Sequence, residues 1–139
     1  MMIVDTSGLL AAIDSGQRRH AGARRVLEEA EGPLVISAFV LAELDYLLAT
    51  KVGRREQLAL LCEVERGVYR LEAFSSSDVG SARSVLERYA DLDLGLADAS
   101  NVVLAIRYVT NEILTLDERH FRAVLGPEDK PFRVLPADL

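Results

Sequence analysis

Five short stretches of strand-forming sequence, spaced by segments of helical periodicity, most constrain what this chain can fold into. Ile3-Val4, Leu34-Val35-Ile36, Ile113-Leu114-Thr115 and Phe132 to Leu135 are brief and largely apolar, and Val68 to Phe74 alternates. Runs this short are strands. Strands that are apolar at consecutive positions are buried on both faces, as in a parallel sheet between two helical layers.

The intervening segments read as helices. One begins at Ser7. Another runs from Arg19 to Glu31, with Ala23, Val26, Leu27 and Ala30 on one face, until Gly32-Pro33 stops it. Ser37 can cap a helix reaching Thr50, and Gly53 separates it from a helix over Arg54 to Arg66. Further helices are expected from Ser76 or Ser77 to Tyr89 and from Ala97 to Tyr108, with a helical turn over Glu118 to Val124. The expected fold class is α/β: three layers, α/β/α, around a parallel sheet of four or five strands. No repeat or linker divides the chain, and 139 residues suit one domain over 1–139.

In open parallel sheets, sites form at the carboxyl ends of strands. Two acids stand there: Asp5 after the first strand and Asp117 after the fourth. Asp98 opens a very apolar helix, and Glu43 interrupts the run Phe39 to Leu48, with Phe39 and Tyr46 or Leu47 on its face. Each has an ordinary structural reading. Asp5 and Asp117 suit helix caps, Asp98 suits a helix dipole, and Glu43 suits a solvated face. Thr115 and Glu118 also have capping-box spacing. Asp45 is expected to be solvated, and Asp93 lies in a loop less suited to hold a ligand.

Convergence of the four acids would change their meaning. Two carboxylates about 4 Å apart repel by about 4 kcal/mol at an effective dielectric near 20. Such a cluster protonates in part or takes up a cation. Oxygen donors select Mg2+ or Mn2+ over zinc. His20 and His120 are too few for a zinc site, and the lone Cys62 reads as a buried, inert thiol. No glycine-rich nucleotide-binding loop is present.

The motifs resemble those of the PIN-domain family, in particular its VapC-type ribonuclease toxins. Val4-Asp5-Thr6-Ser7-Gly8-Leu9-Leu10 resembles the opening motif, Ala42-Glu43-Leu44 the second acidic position and Leu96-Ala97-Asp98-Ala99 the third. Leu114 to Phe121, with Asp117 and its trailing His120-Phe121, is similar to the fourth. The resemblance spans nearly the whole chain. It implies strand order 3-2-1-4-5 and catalytic Asp5, Glu43, Asp98 and Asp117. Asp5 and Asp98 would be the most direct ligands of Mg2+ or Mn2+, with Ser7 and Thr115 as supporting hydrogen bonders. It further implies hydrolysis of structured RNA, transfer or ribosomal, by metal-activated water. A VapB-like antitoxin and a homodimer follow from the same resemblance.

The net charge of −6 is unusual for a nucleic-acid binder, so a basic rim is required. Arg18-Arg19-His20, Arg24-Arg25 and Arg54-Arg55 are the candidates, each equally readable as a solvated helix face. No basic leader precedes Asp5 and no apolar run reaches membrane-span length, which with one cysteine suits the cytoplasm and no membrane. Three alternatives compete. A housekeeping PIN nuclease would lack an antitoxin. A signalling receiver domain would pair acids after its first strand and place an Asp after the third and a Lys after the fifth. A binding module would need no acids.

Overall fold

The computed structural model describes all 139 residues. Its five strands are β1 (Met2–Val4), β2 (Leu34–Ser37), β3 (Arg70–Glu72), β4 (Glu112–Leu114) and β5 (Arg133–Leu135). All pair in parallel, in the order β3-β2-β1-β4-β5. That is the expected order. It differs from the 2-1-3-4-5 order of receiver domains, which removes that alternative.

The helices are α1 (Thr6–Ile13), α2 (His20–Glu29), α3 (Ala38–Leu47), α4 (Arg54–Glu65), α5 (Ser76–Arg88), α6 (Leu96–Tyr108) and the short α7 (Glu118–Phe121). The helix expected to reach Thr50 does so by passing from α3 into one π-helical turn, Leu48–Val52. Alternation along the strands divides the core. Met2, Val4, Ile36, Leu114 and Leu135 meet residues of α1 to α4, whereas Ile3, Val35, Ile113 and Val134 meet residues of α6 and α7. β1, β2, β4 and β5 therefore need apolar side chains at consecutive positions, which is why those runs were visible in the sequence.

Three expectations are corrected. β3 covers only Arg70–Glu72 because it is an edge strand whose Leu71 is 47% exposed. Cys62 is exposed. Helical α4 turns Leu60 inward, and a residue two positions on faces the opposite way. The pair Thr115–Glu118 forms no capping box: Asp117 caps α7, accepting from the His120 N–H at 3.1 Å.

Candidate active site

The strand register sets the site. Val4 pairs with Ile36 on one side and Leu114 on the other, so Asp5, Ser37 and Thr115 follow at one level across three adjacent strands. All three are buried. The chain builds β1, β2 and β3 outward in one direction, then returns through α5 and α6 to place β4 on the other side of β1. The crevice at this reversal is where α/β sheets bind ligands.

Asp5 occupies the N-cap position of α1, yet its side chain makes no capping bond. It turns instead to three side chains. Thr115 Oγ1 donates to Oδ2 at 2.7 Å, Asn101 Nδ2 donates to Oδ1 at 2.9 Å, and Ser7 Oγ approaches Oδ2 at 3.4 Å. Thr115 Oγ1 also accepts from the Asp117 N–H at 3.0 Å, and Ser7 Oγ accepts from the Leu116 N–H at 2.9 Å. The expected supporting residues, Ser7 and Thr115, thus join Asp5 to the segment carrying Asp117.

Ser37 fixes a second junction. Its hydroxyl accepts from the Phe39 and Val40 N–H groups at the start of α3, and it meets Ser100 Oγ on α6 at 2.7 Å. The helix bearing Glu43 is thereby tied to the helix bearing Asp98. Asp98 closes the first turn of α6 by accepting from the Gly95 N–H at 3.0 Å.

Asp5, Glu43, Asp98 and Asp117 together line one open cleft of about 380 Å³, and no lysine or arginine lines it. Burial pushes the Asp5 carboxyl up from 3.8 to about 6; hydrogen bonds from Thr115 and Asn101 oppose the rise, and the charge of Asp98 adds to it. Asp98 is also raised, chiefly by burial. The Gly95 N–H and His120 oppose this, while Asp117 and Glu43 reinforce it. Glu43 has the solvated setting expected of a charge on such a helix. α3 buries Val40 and Leu44, leaving Glu43 exposed at the cleft's rim rather than within apolar surroundings. Asp45, expected in solvent, is half-buried and accepts from Gln57 Nε2 at 2.8 Å. Asp93 is exposed and absent from the cleft wall.

Two residues of the site were not among the site residues assigned from the sequence, although His120 was noted in the fourth motif. His120 Nδ1 lies 2.8 Å from Asp117 Oδ2 and 3.8 Å from Asp98 Oδ2, out of hydrogen-bond alignment and with no other partner. One donor atom each from Asp98, Asp117 and His120 lie within 4.8 Å of one another, a group that could hold a metal ion and that does not include Asp5. The spacing of His120, three residues after Asp117 on a helical turn, was the available signal. Asn101 is the second, and the polar pair Ser100-Asn101 inside the most apolar helix marks it.

A family model described as the PIN domain matches residues 2–125. Ribonuclease VapC26 of Mycobacterium tuberculosis (strain ATCC 25618 / H37Rv) is 43% identical over 135 residues, covering 97% of this chain and all of that protein. The crystal structure of Mycobacterium tuberculosis VapC20, described as a Sarcin-Ricin loop cleaving toxin, superposes with a TM-score of 0.80. It is 23% identical over 86% of this chain and 92% of that one. VapBC2 from Rickettsia felis, solved bound to a DNA fragment from its promoter, gives a TM-score of 0.64 at 19% identity over 96% of this chain and 97% of that one. A sheet of order 3-2-1-4-5 with four acids at its reversal point, matched along nearly its full length by these relatives, belongs to the PIN-domain family, among the VapC proteins.

Proposed function

We propose that this chain is a divalent-metal-dependent endoribonuclease and the toxin of a VapBC-like toxin–antitoxin pair, acting in the cytoplasm as one domain over residues 1–139. The observation carrying this reading is the meeting of Asp5, Glu43, Asp98 and Asp117, from four separate segments, in one cleft without a basic residue. Their relative VapC26 bears the name ribonuclease. No helix is long and apolar enough to cross a membrane.

Asp5 and Asp98 are the direct ligands in this proposal, Asp117 and His120 border them, and Glu43 at the rim acts through water. Carboxylate oxygens suit Mg2+ or Mn2+. A cation held there supplies a bound water of lowered pKa and positive charge for the phosphodiester. The protein's part is preorganisation. Thr115 and Asn101 hold opposite oxygens of Asp5, so the carboxylate need not reorient when substrate arrives.

Structured RNA, transfer or ribosomal, is the proposed substrate, and the arginines are unequal candidates for binding it. Arg24 and Arg25 are paired with Glu28 and Glu29 on α2. Arg18, Arg19, Arg54 and Arg55 are exposed and have no ion-pair partner. Arg19 lines a recess shared with Thr115, Leu116 and Glu118, beside the site. Arg19→Ala should weaken RNA binding several-fold and lower the salt slope of log K by about one, measured by fluorescence anisotropy across a salt series. An unchanged slope would exclude Arg19 from phosphate contact.

The side chains of Tyr46 on α3 and of Leu58 and Leu61 on α4 are exposed at 66%, 53% and 38%. This surface of α3 and α4 suits a VapB-like antitoxin. Val79, Ile106 and Val109, exposed on and after α5 and α6, suit a homodimer.

The decisive test maps cleavage sites in total RNA after induced expression, with and without the product of any adjacent small gene. New 5′ ends should appear, vanish on co-expression of that product, and fail to form in vitro when EDTA removes the metal. Cleavage that survives chelation would end the metal mechanism. Cleavage with no antagonistic neighbour would favour the housekeeping nuclease.

A further inference from the structure

Asn101 is fully buried in α6, immediately before the apolar run Val102-Val103-Leu104-Ala105. A buried amide loses its hydration, which a hydrogen bond must offset. Asn101 makes one such bond, from Nδ2 to Asp5 Oδ1 at 2.9 Å, while its Oδ1 has no partner. The amide therefore gains nothing from its own helix. Its orientation follows from chemistry: turned over, it would set Oδ1 against a carboxylate oxygen, acceptor against acceptor.

Asn101 follows Asp98 by three residues, so both lie on one face of α6 within a single turn. One rigid helical turn thus presents Asp98 and grips Asp5, which arrives from β1. Thr115 holds the other oxygen of Asp5 from the end of β4. Ser100, the adjacent buried polar residue, hydrogen-bonds to Ala97 and Ser37 and makes no hydrogen bond to Asp5.

We infer that Asn101 is a positioning residue that fixes Asp5 relative to Asp98 and so presets the pair for a divalent cation. This rests on the metal-nuclease reading for its catalytic consequence, but not for its effect on cation binding.

The test measures Mn2+ affinity by calorimetry, urea unfolding in EDTA, and kcat and KM on an RNA oligomer carrying the mapped cleavage site. Asn101→Leu, with Asn101→Ala as the second variant, should weaken Mn2+ binding about tenfold or more. It should lower kcat by a similar factor and leave KM for RNA unchanged. Both variants should remain folded in EDTA, and Gly80→Ala, whose added Cβ meets no atom within 4 Å, should bind Mn2+ as the wild type does. In an Asp5→Asn background, Asn101→Leu should add no further loss of Mn2+ affinity, because the carboxylate it positions is gone.

Wild-type Mn2+ affinity in both Asn101 variants overturns the proposal, as does an equal loss in the Asp5→Asn background. Absence of Mn2+ binding in the wild type overturns it together with the metal mechanism. Weaker Mn2+ binding in a protein that cuts no RNA supports the positioning role and removes only the nuclease reading.

Discussion

Asp5→Asn is expected to abolish RNA cleavage, by on the order of a thousandfold, while making the metal-free protein more stable at neutral pH. The two effects share one cause. Asp5 is buried, and its carboxyl is raised from 3.8 to about 6, by burial first and by Asp98 in addition. The unfolded chain ionises earlier than the native one. Stability is therefore complete below about pH 4, declines as pH rises toward 6 and stays reduced above it. At about 1.4 kcal/mol per pH unit, ionised Asp5 costs about 3 kcal/mol at pH 7.

Asparagine removes that charge at nearly constant shape. Its amide oxygen can accept from Thr115, and its NH2 can donate to Asn101 once that side chain turns its free Oδ1 inward. Urea unfolding in EDTA at pH 7.5 should show a gain of about 1 to 3 kcal/mol, shrinking toward pH 4. Saturating Mn2+ should reverse the order, because the cation stabilises only the protein that binds it well. Surviving cleavage would remove Asp5 from the catalytic set. A variant no more stable than wild type at pH 7.5 would show that the fold tolerates the buried charge without strain.

Gly8→Ala is the second large effect, and its sign runs against helix propensity. Alanine within a helix is favoured over glycine by about 1 kcal/mol. At Gly8, however, a Cβ would meet Leu114 O at 2.4 Å, Leu114 C at 2.5 Å and Leu114 Cγ at 2.8 Å. Two of these atoms are backbone of a central strand and cannot move aside. The first turn of α1 must instead tilt from β4, carrying Ser7 from its 3.1 Å contact with Thr115 and its 2.9 Å bond from the Leu116 N–H. Overpacking of this kind costs about 1 to 3 kcal/mol. We expect a loss near the top of that range and a drop in cleavage exceeding the loss of folded protein. Gly80 in α5 provides the contrast, since a Cβ there meets no atom within 4 Å. Gly80→Ala should stabilise by up to about 1 kcal/mol and leave cleavage unchanged. Equal thermal shifts for the two variants would refute the close-approach account.

Much of this architecture was readable from periodicity. Ile3, Val35, Ile113 and Val134 face one helical layer while their strand neighbours face the other, so both kinds had to be apolar. β3 was legible only in outline, because an edge strand with exposed Leu71 lacks that requirement. Cys62 was misread since an apolar stretch does not disclose which face of a helix is covered. Glu43 interrupts an apolar run, and its solvated-face reading holds, but only the fold shows that the same side of α3 also faces the cleft. Asn101 went unread, and His120 was seen only as part of a motif, because each matters only through a partner distant in the fold or brought close by a turn.

What the chain's order of residues determined alone was local: where strands and helices begin, and which acids stand at their ends. Its motifs also resembled a family, and that resemblance supplied the strand order. Only the tertiary structure brought β4 beside β1, set Asp5 level with Thr115, and closed Asp98, Asp117 and Glu43 around the same cleft. The reason is physical. Periodicity along a chain records which face of an element is buried, but the choice of neighbouring strand is made by pairing and packing between segments more than a hundred residues apart.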